Sequence, residues 1–229
     1  MSEDQDIRNL AVSVLVEGQK YNFGYQWEWC GVPIIRYPED LLIQQELMWS
    51  YDIRSVIETG IARGGSVIFS ATMLEIKGII PRVLGIDIMI HEHAHEALSI
   101  YIQKGSIEVV QCSSTSEESK KSILDFLIDN VGPTLVILDS DHGHAHVLEE
   151  LRMFSDLIPT GSIIMVADTI IEEMPAGAYP DRNWSKGSNP YTALTEFLQE
   201  NDKFRAIGEY NKRGLLSEFR NGIIIKMSQ

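Results

Sequence analysis

Five short runs of this 229-residue sequence hold residue types that can do chemistry together. The first is Val56-Ile57-Glu58-Thr59-Gly60-Ile61-Ala62-Arg63-Gly64-Gly65-Ser66. An apolar run enters it and a helical pattern leaves it, so it reads as a strand-to-helix loop that binds a cofactor. Gly60 permits a sharp turn, and Gly64 and Gly65 permit backbone to approach a ligand. Ser66 opens the helix, where a hydroxyl and free amides can hold a carboxylate. The glycines are not spaced G-x-G-x-x-G, so the loop favours a carboxylate-bearing ligand over a dinucleotide. Glu58, Gly60, Ala62, Gly64, Gly65 and Ser66 form this first set.

Asp87 ends a second apolar run, where an acid can accept both hydroxyls of a ribose; the alternative is a loop or helix cap. Ser113 and Ser114 follow a third run and supply small polar groups for an adenine edge. A fourth run ends in Asp139-Ser140-Asp141-His142, and a fifth in Ala167-Asp168-Thr169. Adjacent strand ends converge on one crevice in open parallel sheets, which crowds Asp139, Asp141 and Asp168 together. Carboxylates that close raise one another's pKa, and a hard oxygen-bound cation such as Mg²⁺ relieves them. His142 and Asp141 then stand as candidate general bases. The alternative is that these acids cap the next helix.

Two further features complete the inventory. His91, His93 and His95 read as a solvated helix start rather than a transition-metal site, since no cysteine or further ligand beyond Glu92 and Glu96 accompanies them. The long segment Ile170–Pro190 carries Glu172, Glu173, Tyr179, Asp181, Arg182 and Trp184, and loops of this length are usually lids or binding loops. Tyr179, Arg182 and Trp184 are its candidate substrate-binding residues, suited to a hydroxyl-rich molecule.

The elements that must position these groups are legible from periodicity. Apolar runs at Ser55–Glu58, Arg82–Ile86, Ile107–Val110, Thr134–Leu138 and Ser162–Val166 alternate with helical patterns at 66–77, 92–103, 117–130 and 144–156. Continuous apolar strands separated by helices specify βαβ units and a parallel sheet covered on both faces. A helix near Tyr191–Asn201 follows. Strands at Phe204–Tyr210 and Asn221–Met227, joined by the turn-like Asn211-Lys212-Arg213-Gly214, then form an antiparallel edge. The fold class is therefore a Rossmann-like doubly wound α/β sheet, mostly parallel, within a single structural domain. Residues 51–229 make its core, and residues 1–50 form a helical extension that packs on it. In that extension 7–18 is a helix candidate, and Tyr37-Pro38-Glu39-Asp40 opens another that carries Leu41, Leu42, Leu47 and Met48. Between them lie Tyr21, Phe23, Tyr25, Trp27 and Trp29, a density that suits a core, a substrate cleft or a subunit interface. Homo-oligomerisation is expected on that account.

The formal net charge of −14 repels phosphate backbones and sets nucleic acid aside as a substrate. No stretch is long and apolar enough to span a membrane, and the N-terminal residues Met1–Asp6 are acidic rather than signal-like. Cys30 and Cys112 are too few for a disulfide framework and read as buried thiols, so a cytoplasmic location is expected.

Taken together, Trp29–Ile35, Glu58–Ser66, Asp139-Ser140-Asp141-His142, and Asp168-Thr169 running into Met174–Arg182 resemble the cephalosporin hydroxylase / rhamnosyl O-methyltransferase family. The resemblance covers about residues 20–227. It implies a class I methyltransferase fold, S-adenosyl-L-methionine as cofactor, usually Mg²⁺, and an acceptor hydroxyl on a sugar, glycolipid or glycosylated natural product. A more distant similarity to catechol O-methyltransferase implies Asp139 and Asp168 as metal ligands, with Thr169 where an asparagine ligand is expected. Some members of the nearer family carry a Glu-Asp pair where this chain has Ala167-Asp168, which removes one ligand. The alternatives are N-methylation of an amino sugar and a non-catalytic cofactor-binding role in a polysaccharide pathway.

Overall fold

The computed structural model describes residues 4–130 and 132–228; Met1, Ser2 and Glu3 of the acidic N-terminal run lie outside them. Asp4 caps helix α1 (Gln5–Gly18) by accepting from the amides of Asp6 and Ile7. Two short 3₁₀ turns lead to a hairpin of β1 (Trp27–Trp29) and β2 (Val32–Ile34). The sequence disguises this hairpin, because its two-residue turn is Cys30-Gly31 rather than Asn-Gly, yet both residues have positive φ (52° and 80°). Cys30 is consequently exposed rather than buried, and Cys112 is half-buried. Helix α2 (Pro38–Ser50) starts with proline and two acids in its first turn, as its sequence dictates. Leu47 and Met48 are fully buried, while Leu42 faces out.

The five apolar runs become five parallel strands. They are β3 (Ser55–Thr59), β4 (Val83–Asp87), β5 (Ile107–Gln111), β6 (Thr134–Leu138) and β7 (Ile163–Val166). The helices between them are α3 (Gly65–Ile76), α4 (Glu92–Gln103), α5 (Glu117–Leu127) and α6 (His144–Leu157). Every residue of β3 and β6 is buried, which explains why these strands read as unbroken apolar runs. Helix α7 (Pro190–Glu200) then leads to β8 (Phe204–Ala206), the single-turn α8 (Gly208–Asn211) and β9 (Ile223–Lys226). The sheet order is β5-β4-β3-β6-β7-β9-β8, with β9 antiparallel to both its neighbours. One apolar cluster joins the sheet to α2 and α3; a second lies on the opposite face beneath α5, α6 and α7.

The closing strands differ from expectation in one respect. Phe204–Tyr210 is not one strand: it ends at Ala206, Ile207 keeps one bond from its amide to the Ile223 carbonyl (3.0 Å), and the side-chain amide of Asn211 bonds both backbone groups of Ile223 at 2.9 Å. The connection to β9 therefore runs from 207 to 222, well beyond the expected four-residue turn. The 170–190 segment is also less open than its length suggests. It begins as a 3₁₀ turn at Thr169–Glu173. Glu172 accepts from the Gly187 amide and the Asn189 side chain, and Glu173 pairs with Arg8 and Arg220. These two acids brace the loop instead of reaching outward. Val12 and Leu15 of α1 pack on Ile170 and Met174 of the same loop. Among the described residues no helix is long and apolar enough to cross a membrane.

Candidate active site

The carboxyl ends of β3, β4, β5, β6 and β7 open on a cavity of about 540 Å³. Gly60 makes the convergence of β3 and β6 possible. Its φ is +83°, and a side-chain carbon there would lie 1.9 Å from the Asp139 carbonyl oxygen. Asp87 leans across from β4, accepting from the amides of Ile61 (2.9 Å) and Ala62 (3.2 Å) with one oxygen and from Met89 (3.0 Å) with the other. It thereby holds the glycine loop open while still lining the cavity with Gly60, Ala62, Ser113, Ser114 and Asp139.

Other members of the glycine loop turn away from the ligand space. Glu58 is fully buried and accepts from the Ser66 hydroxyl (2.5 Å) and from Arg36 (3.2 Å). The Glu58 carboxylate and the Ser66 hydroxyl thus bond to each other inside the fold. Gly65 is small for a different partner: a side-chain carbon on it would sit 2.4 Å from the carbonyl oxygen of Pro33 in the hairpin. Gly64 packs against Leu98 of α4. These glycines admit neighbouring elements.

A second cavity of about 420 Å³ adjoins the first. Tyr179, Arg182 and Trp184 line it, with Phe23, Tyr37 and Asn183. Trp184 is nearly buried, its ring edge-on to those of Tyr179 (4.6 Å) and His142 (5.4 Å). Tyr25, Ile35, Asp141, His142, Asp168 and Glu218 border both cavities. Of the three settings open to the aromatic N-terminal segment, Phe23 and Tyr25 occupy the cleft.

At this boundary Asp139, His142 and Asp168 each present a ligand atom within 4.8 Å of the others. His142 Nε2 stands 3.2 Å from Asp168 Oδ2, so His142 joins the acidic cluster rather than standing beside it. Asp141 does not join: its Oδ1 accepts from the Gly143 amide at 2.6 Å in the turn ahead of α6, without capping that helix. Thr169 does not join either. Asp168 has a left-handed backbone (φ 56°), and the next residue turns its hydroxyl inward to donate to the carbonyls of Arg220 (2.7 Å) and Glu218 (3.1 Å). Among the described residues the histidines at 91, 93 and 95 form no such cluster; the rings of His91 and His93 stack on an exposed surface.

Sequence reasoning missed the residue that organises this boundary. Arg36, only 1% exposed, reaches Asp139 Oδ2 at 3.1 Å, Glu58 Oε1 at 3.2 Å and Glu218 Oε1 at 3.8 Å, and stacks over Phe219 at 4.9 Å. Burial alone would lower its pKa, but Glu58, Asp139, Glu218 and Asp40 more than reverse that, so the guanidinium stays charged. The acids are shifted as well. Burial pushes Asp139 up to about 7, against the pull of Arg36 and His142. Burial raises Glu218 well above the usual carboxylate range, with Asp139 and Asp40 adding to it. Asp40, buried in α2 and bonded to Ser217 and the Glu218 amide, is likewise pushed up to about 7. The only advance signal was a pair of charges, Arg36 and Glu218, next to residues that pack in the core.

A seven-stranded sheet of this order, with β9 inserted antiparallel and a cavity at the ends of the parallel strands, is the class I methyltransferase architecture. The rhamnosyl O-methyltransferase/CmcI family matches residues 21–227, so the chain belongs to that family and is an S-adenosylmethionine-dependent methyltransferase. A rhamnosyl O-methyltransferase of Mycobacterium leprae (strain TN) is 27% identical over 192 residues, 82% of this chain and 79% of its own length. The apo structure of CmcI superposes with a TM-score of 0.64 at 18% identity, covering 90% of this chain and 78% of that one. The Mg- and SAM-bound structure of CmcI gives 0.61 at 18% identity, covering 89% and 78%. These two superpositions speak to the fold, and the family membership to the activity.

Proposed function

We infer that this enzyme methylates a hydroxyl of a sugar or glycosylated small molecule, and that a divalent cation, Mg²⁺ by its oxygen-rich site, assists. The observation that carries this reading is the Asp139–His142–Asp168 cluster on the boundary between a cofactor-sized cavity and an aromatic-walled one. The charge balance fits a cation there. One guanidinium faces Glu58, Asp139 and Glu218, and Asp168 adds a fourth carboxylate beyond its reach. An Mg- and SAM-bound neighbour of the same fold supports it.

In this reading the larger cavity takes S-adenosylmethionine, with the glycine loop and Asp87 along one side and Ser113 and Ser114 at the far end. The smaller cavity takes the acceptor, whose ring can lie against Tyr179 and Trp184 while Arg182 and Asn183 meet its hydroxyls. Asp139, His142 and Asp168 would hold the cation, which when bound lowers the pKa of the acceptor hydroxyl. Glu218 fits the role of proton acceptor better than Asp141. It borders both cavities, whereas Asp141 is engaged at Gly143. The remaining work is alignment of oxygen, methyl carbon and sulfur, which the paired cavities supply by proximity.

The test is transfer of labelled methyl from S-adenosylmethionine to a panel of deoxysugar glycosides, with Mg²⁺ and with a chelator. Label on a hydroxyl, lost with the chelator, is the expected result. Label unaffected by the chelator refutes the cation, and label on amino sugars alone refutes the hydroxyl acceptor.

A further inference from the structure

The turn that follows Trp184 is braced well beyond what a surface loop requires. Ser185 and Ser188 exchange both backbone hydrogen bonds (3.0 and 2.9 Å), with Gly187 at φ +88° between them. Asn189, fully buried, closes the turn. Its Oδ1 accepts from the amides of Tyr191 and Thr192 to cap α7, and its Nδ2 donates to the Ser185 carbonyl at 2.9 Å and to Glu172 at 2.7 Å. Every hydrogen-bonding position of that amide is thereby used. Glu172 also accepts from the Gly187 amide at 2.8 Å, which ties the end of the loop back to its first turn. The side chain this bracing delivers is Trp184, only 7% exposed although Asp181, Arg182, Asn183 and Ser185 around it are all exposed.

Trp184 stands between two parts of the site. Its ring lies edge-on to Tyr179, a wall of the smaller cavity, with centroids 4.6 Å apart. It is also nearly perpendicular (89°) to the imidazole of His142, with centroids 5.4 Å apart. His142 has little else to hold it. Its Nε2 stands 3.2 Å from Asp168 Oδ2, and its Nδ1 makes no hydrogen bond among the described residues. A histidine that binds a metal ordinarily has its second ring nitrogen tied to a carboxylate or carbonyl, which fixes the plane of the ring. The last torsion of a histidine side chain is otherwise only loosely restrained. Around His142 that restraint comes from packing against the indole.

We propose that Trp184 positions His142 for the cation, doing by ring packing what a hydrogen bond to Nδ1 would do. The inference rests on reading Asp139, His142 and Asp168 as the cation site. Trp184 acts there only through His142, as a positioning residue. Because it also lines the smaller cavity, the wall that receives the acceptor and the orientation of a cation ligand are set by one side chain. Exchange of this loop for one that suits another acceptor would have to keep an aromatic ring at position 184.

The experiment titrates Mn²⁺ into the full chain in excess S-adenosylhomocysteine, following the paramagnetic resonance of the free ion. Trp184→Leu keeps apolar bulk without a flat ring and should weaken Mn²⁺ about tenfold, the scale for losing a group that orients a metal ligand. Trp184→Phe retains a ring and should stay within about threefold of the wild type. Affinity for S-adenosylhomocysteine should be unchanged in both, which general loosening of the site would not allow. In a His142→Ala background Trp184→Leu should cost no further Mn²⁺ affinity, since the indole then has no ligand to position. Trp184→Met, also ringless, takes the place of Trp184→Leu if that protein does not fold. Wild-type Mn²⁺ affinity in the ringless variant, or a loss just as large in the His142→Ala background, overturns the proposal and leaves the cation site standing. Failure of the wild type to bind Mn²⁺ overturns the cation site, and this inference with it.

Discussion

Replacing Arg36 by methionine should cost this protein a large share of its stability, by an amount that depends on pH in a defined direction. Methionine matches the length and apolar stem of arginine, so the packing over Phe219 is largely kept and the change is mainly electrostatic. What is lost is a charge only 1% exposed, within 3.8 Å of three carboxylates. Removing one partner of a buried ion pair costs about 3–5 kcal/mol, because the other is left uncompensated. For a chain of this size that is a fall in Tm of about 6–20 °C. Protonation offers the variant a way out. Asp139 already sits at about 7, raised by burial despite Arg36, and Glu58 and Glu218 are raised for the same reason. Between the ordinary carboxylate range and these raised values the native state binds more protons than the unfolded state, so stability falls as pH rises. Without Arg36 the raised values climb further. The deficit should then be smallest near pH 5.5 and largest near pH 8.5. Urea unfolding of both proteins at those two pH values, in chelator, measures it, and Arg36→Lys should fall between them. A loss below about 1 kcal/mol, or one independent of pH, would refute the account of Arg36 as the neutralising centre of this boundary.

Three further outcomes follow from the geometry. Gly60→Ala places a methyl against the Asp139 carbonyl in a left-handed backbone, and should cost about 3 kcal/mol or more and abolish S-adenosylhomocysteine binding; a normal melting curve would count against that packing. Asp168→Asn should lower kcat about a hundredfold or more while cofactor affinity stays within about twofold, if the Asp139–His142–Asp168 cluster holds the proposed cation; parallel loss of both in a kinetic and calorimetric pair would point to a collapsed loop instead. Histidine NMR should find His146, whose Nε2 stands 3.7 Å from the fully buried Glu150, titrating above the ordinary value of about 6.5, and Glu150→Gln should lower it. The corresponding stabilisation is fully present below the unfolded pKa and is lost as pH rises through the folded one, so Glu150→Gln should flatten the stability curve there.

The sheet was legible because burial on both faces leaves no alternative to unbroken apolar strands, and all five parallel runs fall where the sequence places them. Asp87, Asp139 and Asp168 were legible for a related reason: a charged residue that ends such a run sits at the crevice. The roles of Glu58, Ser66, Gly64 and Gly65 were not. Nothing local shows that Pro33 and Leu98 occupy the space the glycines leave, or that Arg36 draws Glu58 inward. His146 and Glu218 reach the cavities from the first turn of a helix and an irregular connection, and Arg36 reaches the acids behind them from a hairpin exit, so only tertiary contact gives them meaning. Thr169 lost its expected role to a backbone choice, the left-handed turn at Asp168, which sequence does not announce for an aspartate.

The placement of β9 has a consequence for how the molecule is made. β8 is synthesised first but has no direct partner in β7; β9 must slide between them, bonding Ile163–Met165 on one side and Phe204–Ala206 on the other. While a ribosome is still adding residues 207–222, β7 therefore carries an open edge and β8 is an orphan strand, the state in which chains pair with the wrong neighbour. Glu218 and the carbonyls that hold Thr169 lie in that same late segment. Completion of the second cavity's wall and closure of the sheet are thus one event, and a nascent chain stalled before β9 would have neither.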